Sequence, residues 1–382
     1  MGGRLGVPGA GGTMLVCPRT RQALRPVPVE AARHVITGGP PLVAAPRPDG
    51  PPPVGETPTV LLRSDDAVAF PVVDDIPVLM WPEALGPGTG RDTVDLADAR
   101  YAEAYAEMGY YGGVADEALA DVADTGTYAM VAALQADLRA APRREAFPRP
   151  ARVWLDAAYD CTAQERVYLH VGPNVNGGSV AQLGGSGVHA LKLLVAGARS
   201  AVLVTPVLSE ARLAGAVAGR LGLGDGFRAV VGIGEEPPLA SGTLDVAVSG
   251  GSLHHMLPAA AGAEVRRALR PGGRFGAWDP WRAPLYGVGT AVLGKRDPDV
   301  ACRPLDEARA TAFLDAFGEG ADLRRHGALT RYPMLALGKA GVSLGVRVAL
   351  PVLRADDRLA RGRLWLERLQ SSVSICGLRP EA

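Results

Sequence analysis

Lysine is almost absent from this 382-residue sequence: of 40 basic side chains only Lys192, Lys295 and Lys339 are lysines, and the rest are arginines. Together with abundant Ala and Gly, that skew reads as the coding bias of a GC-rich bacterial genome. Surplus charge is also missing. The 40 Asp and Glu balance the 40 basic residues, which disfavours nucleic acid or an anionic membrane as partner. Cysteine is scarce, and Cys17, Cys161, Cys302 and Cys376 stand singly, so neither a disulfide framework nor a four-cysteine metal site is expected. No apolar run approaches the roughly 20 residues that span a bilayer, and residues 1–12 lack the apolar region of a signal peptide. The expectation is a cytoplasmic protein. Hydrophobic residues make up 47% of the chain, ample for the buried cores of roughly two or three domains.

The chain is organised around residues 178–210. A short apolar run, Val180 to Leu183, leads into Gly184-Gly185-Ser186-Gly187. A helical pattern follows (His189, Leu191, Leu193, Leu194), then Gly197, then a β-rich run over 201–205. Strand, glycine turn, helix and strand make one βαβ unit. In an open parallel sheet a nucleotide-like ligand binds at such a turn, where small residues allow close approach and a helix N-terminus offers N–H groups.

Four segments follow from composition and periodicity. Residues 1–12 are Gly-rich and read as a disordered tail. Residues 13–90 form a small β domain, interrupted by a Pro- and Gly-rich stretch at 38–58. Residues 91–150 carry helical periodicity with an aromatic stripe, including Tyr101, Tyr105, Met108 and Tyr111. The stripe is either helix core or a lid whose tyrosines line a substrate pocket. Gly112-Gly113 is expected to end the first of these helices, and the prolines of 142–150 mark a linker. Residues 151–382 alternate helix and strand at the spacing of a parallel, doubly wound sheet. One helix is expected over 154–169, one charged amphipathic helix with a solvated arginine face over 354–369, and a last strand over 371–376.

Residues 151–300 resemble the class I S-adenosylmethionine-dependent methyltransferases. The run Val180 to Gly187 stands where that superfamily has its strand and glycine-rich turn. Val202 to Pro206 stands at the second strand, Glu235 and Glu236 follow the third, and Ser249 with His254-His255 closes the fourth. Leu269-Arg270-Pro271-Gly272-Gly273 resembles the superfamily's hairpin before the fifth. The resemblance implies an α/β fold with a doubly wound, mostly parallel seven-stranded sheet, the last strand antiparallel at the sheet edge. It also implies S-adenosylmethionine as cofactor, held by Gln182, Gly184, Gly185, Ser186, Gly187, Thr205, Pro206, Glu235, Glu236 and Ser249. Residues 14–18 and 70–79 resemble the opening and close of the zinc-ribbon-derived domain attached to many methyltransferases. Only Cys17 remains of the four ligands that tetrahedral zinc takes, so no metal is expected.

Two positions depart from the superfamily pattern. Gln182 replaces the acid at the end of the first strand, and Thr205-Pro206 stands where a carboxylate accepts both ribose hydroxyls. A lower affinity for the cofactor is therefore expected, unless Glu210 or a lid tyrosine compensates. Methyl transfer requires alignment and often a base. His254, His255 and Asp279 are the candidates, because they follow the fourth and fifth strands; the alternatives are that the histidines only pack and orient the loop and that Asp279 caps a turn. Trp278 and Trp281 either wall an organic substrate together with Tyr101, Tyr105 and Tyr111, or cover the sheet. The expected function is methylation of a small molecule of bacterial secondary metabolism. The alternatives are elimination or ring-closing chemistry on the same scaffold, and a catalytically silent subunit of a complex, as partner or homo-oligomer.

Overall fold

The structure, a computed structural model, describes residues 14–36, 59–86, 98–140, 154–155, 157–284, 286, 303–342 and 345–381. The tail at 1–12, the Pro- and Gly-rich stretch at 38–58 and the linker at 142–150 lie outside the described residues.

The central unit forms β5 (Ser179–Leu183), α5 (Val188–Val195) and β6 (Ser200–Thr205). Then come α6 (Leu208–Arg220), β7 (Phe227–Val231), β8 (Leu244–Gly250), α7 (Pro258–Ala268) and β9 (Leu269–Pro280). Every residue of β5 is buried, as are all but the first of β6 and the last of β8. Such uninterrupted Val, Ala and Leu runs belong in a sheet covered on both faces. One face, with Val180, Val246 and Val248, packs with Leu191, Leu193 and Val167; the other, with Ala181, Val202 and Ala247, packs with Val265 and Phe313.

The remaining elements are α8 (Glu307–Phe317), β10 (Ala321–His326), α9 (Arg331–Lys339), α10 (Val346–Ala360), α11 (Leu364–Glu367) and β11 (Ser372–Leu378). The seven strands lie in the order β10-β11-β9-β8-β5-β6-β7. Only β11 runs against the rest. It lies between β9 and β10 and so is not the edge strand expected, because β10 pairs outside it over six residues. The sheet is doubly wound: β6 and β7 extend to one side of β5, whereas β8 and β9 extend to the other. The crevice at that reversal is where open α/β sheets bind ligands.

The N-terminal segment contributes β1 (Leu24–Pro28), α1 (Val29–Val35), β2 (Thr59–Arg63), β3 (Ala69–Val73) and β4 (Ile76–Pro77), a four-stranded antiparallel sheet in sequential order. Asp74 and Asp75 both adopt positive φ, 50° and 64°, which is the two-residue hairpin turn that suits the strand twist. Cys17 is buried among Leu24, Phe70 and Leu79. This small sheet joins the large one at its far edge, where Leu79 N–H donates to Val231 O at 2.7 Å and Val16 N–H to Pro238 O at 3.0 Å.

Between the two sheets in sequence come α2 (Ala99–Ala120) and α3 (Gly126–Ala140). Asp98 caps α2 by accepting from Arg100 N–H at 3.0 Å. The helix runs on through Gly112-Gly113, contrary to the stop expected there. Two interior glycines cost about 1–2 kcal/mol together. Burial of Tyr101 and Met108 against Ala211, Val231 and Ile233 outweighs that, at about 1.5–3 kcal/mol for each large side chain. Two further expectations are corrected. Trp154 is not part of α4 (Cys161–Val171), which starts after a 3-10 turn at Ala158–Asp160. The charged helix over 354–369 is two helices, α10 and α11, separated where Gly362 takes φ +75°.

Candidate active site

Gly184, Gly185 and Gly187 all take left-handed backbone, with φ of +77°, +74° and +79°, a region costly for residues with a Cβ. A Cβ on Gly184 would stand 2.5 Å from Ser252 Cβ, and one on Gly187 would stand 2.8 Å from Ala214 Cβ. Gln182 braces this turn from below: its Nε2 donates to Gly184 O at 2.7 Å and its Oε1 accepts from Ala190 N–H at 2.8 Å. Its side chain is therefore spent on the turn itself.

A cavity of about 600 Å³ adjoins the turn, lined by Tyr111, Thr127, Met130, Ser186, Glu210 and Leu213 among others. Helices α2 and α3 form its roof, and the Thr127 and Ser186 hydroxyls meet at 3.2 Å. Thr205, at the end of β6, donates to Glu210 Oε2 at 2.7 Å. The Glu210 carboxyl is pushed up to about 7 by burial, against the pull of that hydrogen bond. Pro206 is buried beside it and offers no N–H.

The loops after β7 and β8 carry the other acids and both histidines. Glu235 is buried, accepts from Leu257 N–H at 2.9 Å, and is raised to about 7 by burial. Glu236 is bound by Arg100 Nη1 at 2.7 Å and by the Tyr101 hydroxyl at 2.8 Å. Asp279 Oδ1 lies 2.7 Å from His254 Nδ1 and accepts from His254 N–H at 3.1 Å. Its Oδ2, like the hydroxyl of Ser249, is buried without a hydrogen-bond partner among the described residues. Arg309 fixes the same loop by donating to His254 O at 3.0 Å and Met256 O at 2.9 Å.

The His254 and His255 rings lie 4.0 Å apart. His255 Nδ1 faces Glu103 at 3.0 Å and Glu107 at 3.3 Å on α2, and burial lowers its pKa. Glu107 is raised to about 8 by burial and by the nearby carboxyls of Glu210 and Glu103. The charge of His254 acts in the opposite sense, lowering it.

Of the aromatic residues singled out in the sequence, only Tyr111 lines the cavity. Tyr101 is fully buried with its hydroxyl on Glu236, and Tyr105 donates to Glu83. Trp278 packs edge-on to His189 at 4.6 Å, whereas Trp281 is buried on the opposite face beneath the Arg325 guanidinium. Sequence reasoning passed over Glu103, Glu107 and Thr127. The signal for the first two was their spacing: 103, 107 and 111 fall on one row of α2, adjacent to the buried row at 101, 104 and 108. A second buried cluster, His326 bridging Asp357 and Ser374 at 2.7 Å each, ties α10 to β10 and β11.

A family model described as a methyltransferase domain matches residues 183–277, from the last residue of β5 into β9. Over these residues the chain is similar to methyltransferase domains, in agreement with the doubly wound sheet described above. No curated protein matches the sequence. Among solved structures, a geranyl diphosphate methyltransferase in complex with SAM is 21% identical, over 56% of this chain and 83% of its own, with a TM-score of 0.42. The geranyl diphosphate C-methyltransferase of Streptomyces coelicolor A3(2) is 18% identical, over 56% and 77%, also at 0.42. The 4+2 cyclase SpnF is 16% identical over 67% and 94%, at 0.39.

Proposed function

We propose that the protein is an S-adenosylmethionine-dependent methyltransferase acting on a small molecule, with the cofactor's nucleoside in the cavity beside the glycine turn. The observation that carries this reading is the Thr205–Glu210 pair. It returns a carboxylate to the end of β6, where the local sequence had put a neutral residue, and aims it into a cavity of about 600 Å³. That volume lies within the roughly 300–1,000 Å³ of small-molecule sites. The buried Ser249 hydroxyl, without a partner among the described residues, adds a further polar group at the end of β8.

On this reading Gly184, Gly185 and Ser186 give the bound group close backbone approach, and Glu210 holds its ribose. S-adenosylmethionine, when bound, supplies an electrophilic methyl group on a sulfonium. The chain's own residues supply alignment and proton transfer. Asp279 commits His254 Nδ1 and the adjacent backbone N–H to a single oxygen. That fixes the ring and makes Nε2 its basic nitrogen, and on this reading Nε2 is the atom that takes a proton from the substrate. Glu103 and Glu107 hold His255, and with it α2, over the site.

A second reading, elimination or ring closure without methyl transfer, is favoured by one observation: Gln182 spends both its polar atoms on the turn, leaving no acid at the end of β5. Isothermal calorimetry with S-adenosylmethionine and S-adenosylhomocysteine tests the first reading. Micromolar binding that Gly185→Asp weakens supports it, and no binding up to millimolar overturns it.

A further inference from the structure

Helix α10 presents three faces. Ala349, Leu353, Asp356, Asp357 and Ala360 are buried against the body of the protein. About a quarter turn away, by 3.6-residue periodicity, lies an exposed row of Val348, Val352, Ala355 and Leu359. On the far side of the helix run Arg347 and Arg358, also exposed, whereas Arg354 of the same row turns back to pair with Glu165 of α4. Past Gly362, in α11, Leu364 is 74% and Trp365 64% exposed. Arginines 361, 363 and 368 accompany them.

Every exposed charged side chain between residues 345 and 368 is an arginine; the acids Asp356 and Asp357 face inward, where they bind Thr330 and His326, and Glu367 is half-buried on Gly362 N–H. A chain whose overall charge is zero thus concentrates positive charge beside an apolar ridge. This is the pattern of a helix that lies in a bilayer interface, with apolar side chains inserted and guanidiniums among the headgroups. No helix among the described residues is long and apolar enough to cross a membrane, so the contact is peripheral.

We infer that the α10–α11 ridge docks the protein on an anionic lipid surface. The exposed side chains are aliphatic plus one tryptophan, with arginine as the only charged type. A bilayer accepts such side chains without a matching groove, and anionic headgroups complement the arginines. A second copy packed ridge to ridge would bring arginine rows of the same sign together.

The test is co-sedimentation of the full chain with vesicles of pure phosphatidylcholine and of equimolar phosphatidylcholine and phosphatidylglycerol, at low salt. Retention on the anionic vesicles is expected to be roughly tenfold or more above that on neutral ones, and to fall as salt rises. Trp365→Ser and the double variant Arg358→Glu with Arg361→Glu alter only exposed side chains, and each is expected to reduce retention about tenfold with the circular dichroism spectrum unchanged. Equal retention on both vesicle types, no retention at low salt, or retention indifferent to Trp365→Ser each overturns the inference. So does a dimer by light scattering that Trp365→Ser dissociates, which would assign the ridge to a second copy; a stoichiometric complex with an acidic protein in place of vesicle binding would do the same.

Discussion

Thr205 donates its hydroxyl hydrogen to Glu210 across the junction of β6 and α6, so the two side chains act as one unit. Glu210→Gln is expected to weaken S-adenosylmethionine binding about 10- to 100-fold, since hydrogen bonds to a charged acceptor contribute about 1.5–3 kcal/mol. Thr205→Val should weaken it less, by up to about tenfold, because the carboxylate remains and only its orientation suffers. Calorimetry of both variants checks this, and unchanged affinity in Glu210→Gln removes the carboxylate from the ribose site.

The three left-handed glycines differ in the room around them. Gly184→Ala sets a Cβ against Ser252 at 2.5 Å, whereas Gly185→Ala meets nothing nearer than Gln182 Nε2 at 3.5 Å. The backbone term, about 1–2 kcal/mol, is common to both. Overpacking adds about 1–3 kcal/mol at Gly184 alone. Thermal unfolding should therefore rank Gly184→Ala clearly below Gly185→Ala, and equal melting temperatures would contradict the packing described for Ser252.

His254 and Asp279 should behave as a pair. If His254 is the base, His254→Ala lowers kcat by about 10²–10⁴-fold. Asp279→Asn should lose a large part of the same factor, and the double variant should be little worse than His254→Ala. His255→Ala touches the lid acids instead, so its effect is expected mainly in KM. Steady-state kinetics on the four proteins separates these outcomes.

Glu107, Glu210 and Glu235 have folded-state pKa values of about 8, 7 and 7, above the ordinary 4.5. The folded protein therefore retains protons that the unfolded chain has released, and their contribution to stability declines as pH rises from about 5 to 8. Each such carboxyl accounts for at most about 1.4 kcal/mol per pH unit. Denaturant unfolding should show this slope, and Glu107→Gln should flatten its upper part. A bound cation reverses the preference by favouring the ionised acids. S-adenosylmethionine should accordingly bind more tightly near pH 8 than near pH 6, and a pH-independent affinity would separate these acids from the ligand.

The central sheet was legible because its strands are short Val- and Ala-rich runs punctuated by glycines whose positive φ no other residue takes cheaply, as at Gly184 and Gly187. The course of α2 was not, since Gly112-Gly113 reads locally as a stop, and only the packing of Tyr101 and Met108 on another element overrides it. The inner position of β11 depends on pairing with a strand some 50 residues earlier, which periodicity does not encode. Within the site, His254, Asp279 and the glycine turn could be named from their places after strands. Glu103 and Glu107 could not, because their place beside His255 exists only once α2 is docked on the loop after β8. The tyrosines at 101 and 105 have two readings in the sequence, and the hydroxyls of both lie on carboxylates, those of Glu236 and Glu83.

The attachment of the small sheet to β7 bears on how the protein can be divided. Strand β7 ends the large sheet, and its Val231 carbonyl, together with the loop carbonyl of Pro238, is bonded only because Leu79 and Val16 come back to them. Residues 183–277, cut out by themselves, would present a bare strand border with Val230 and Val231 on it. Such borders recruit other chains. The segments around Val16 and Leu79 therefore cover the end of that border, and a fragment meant to keep it covered has to include them.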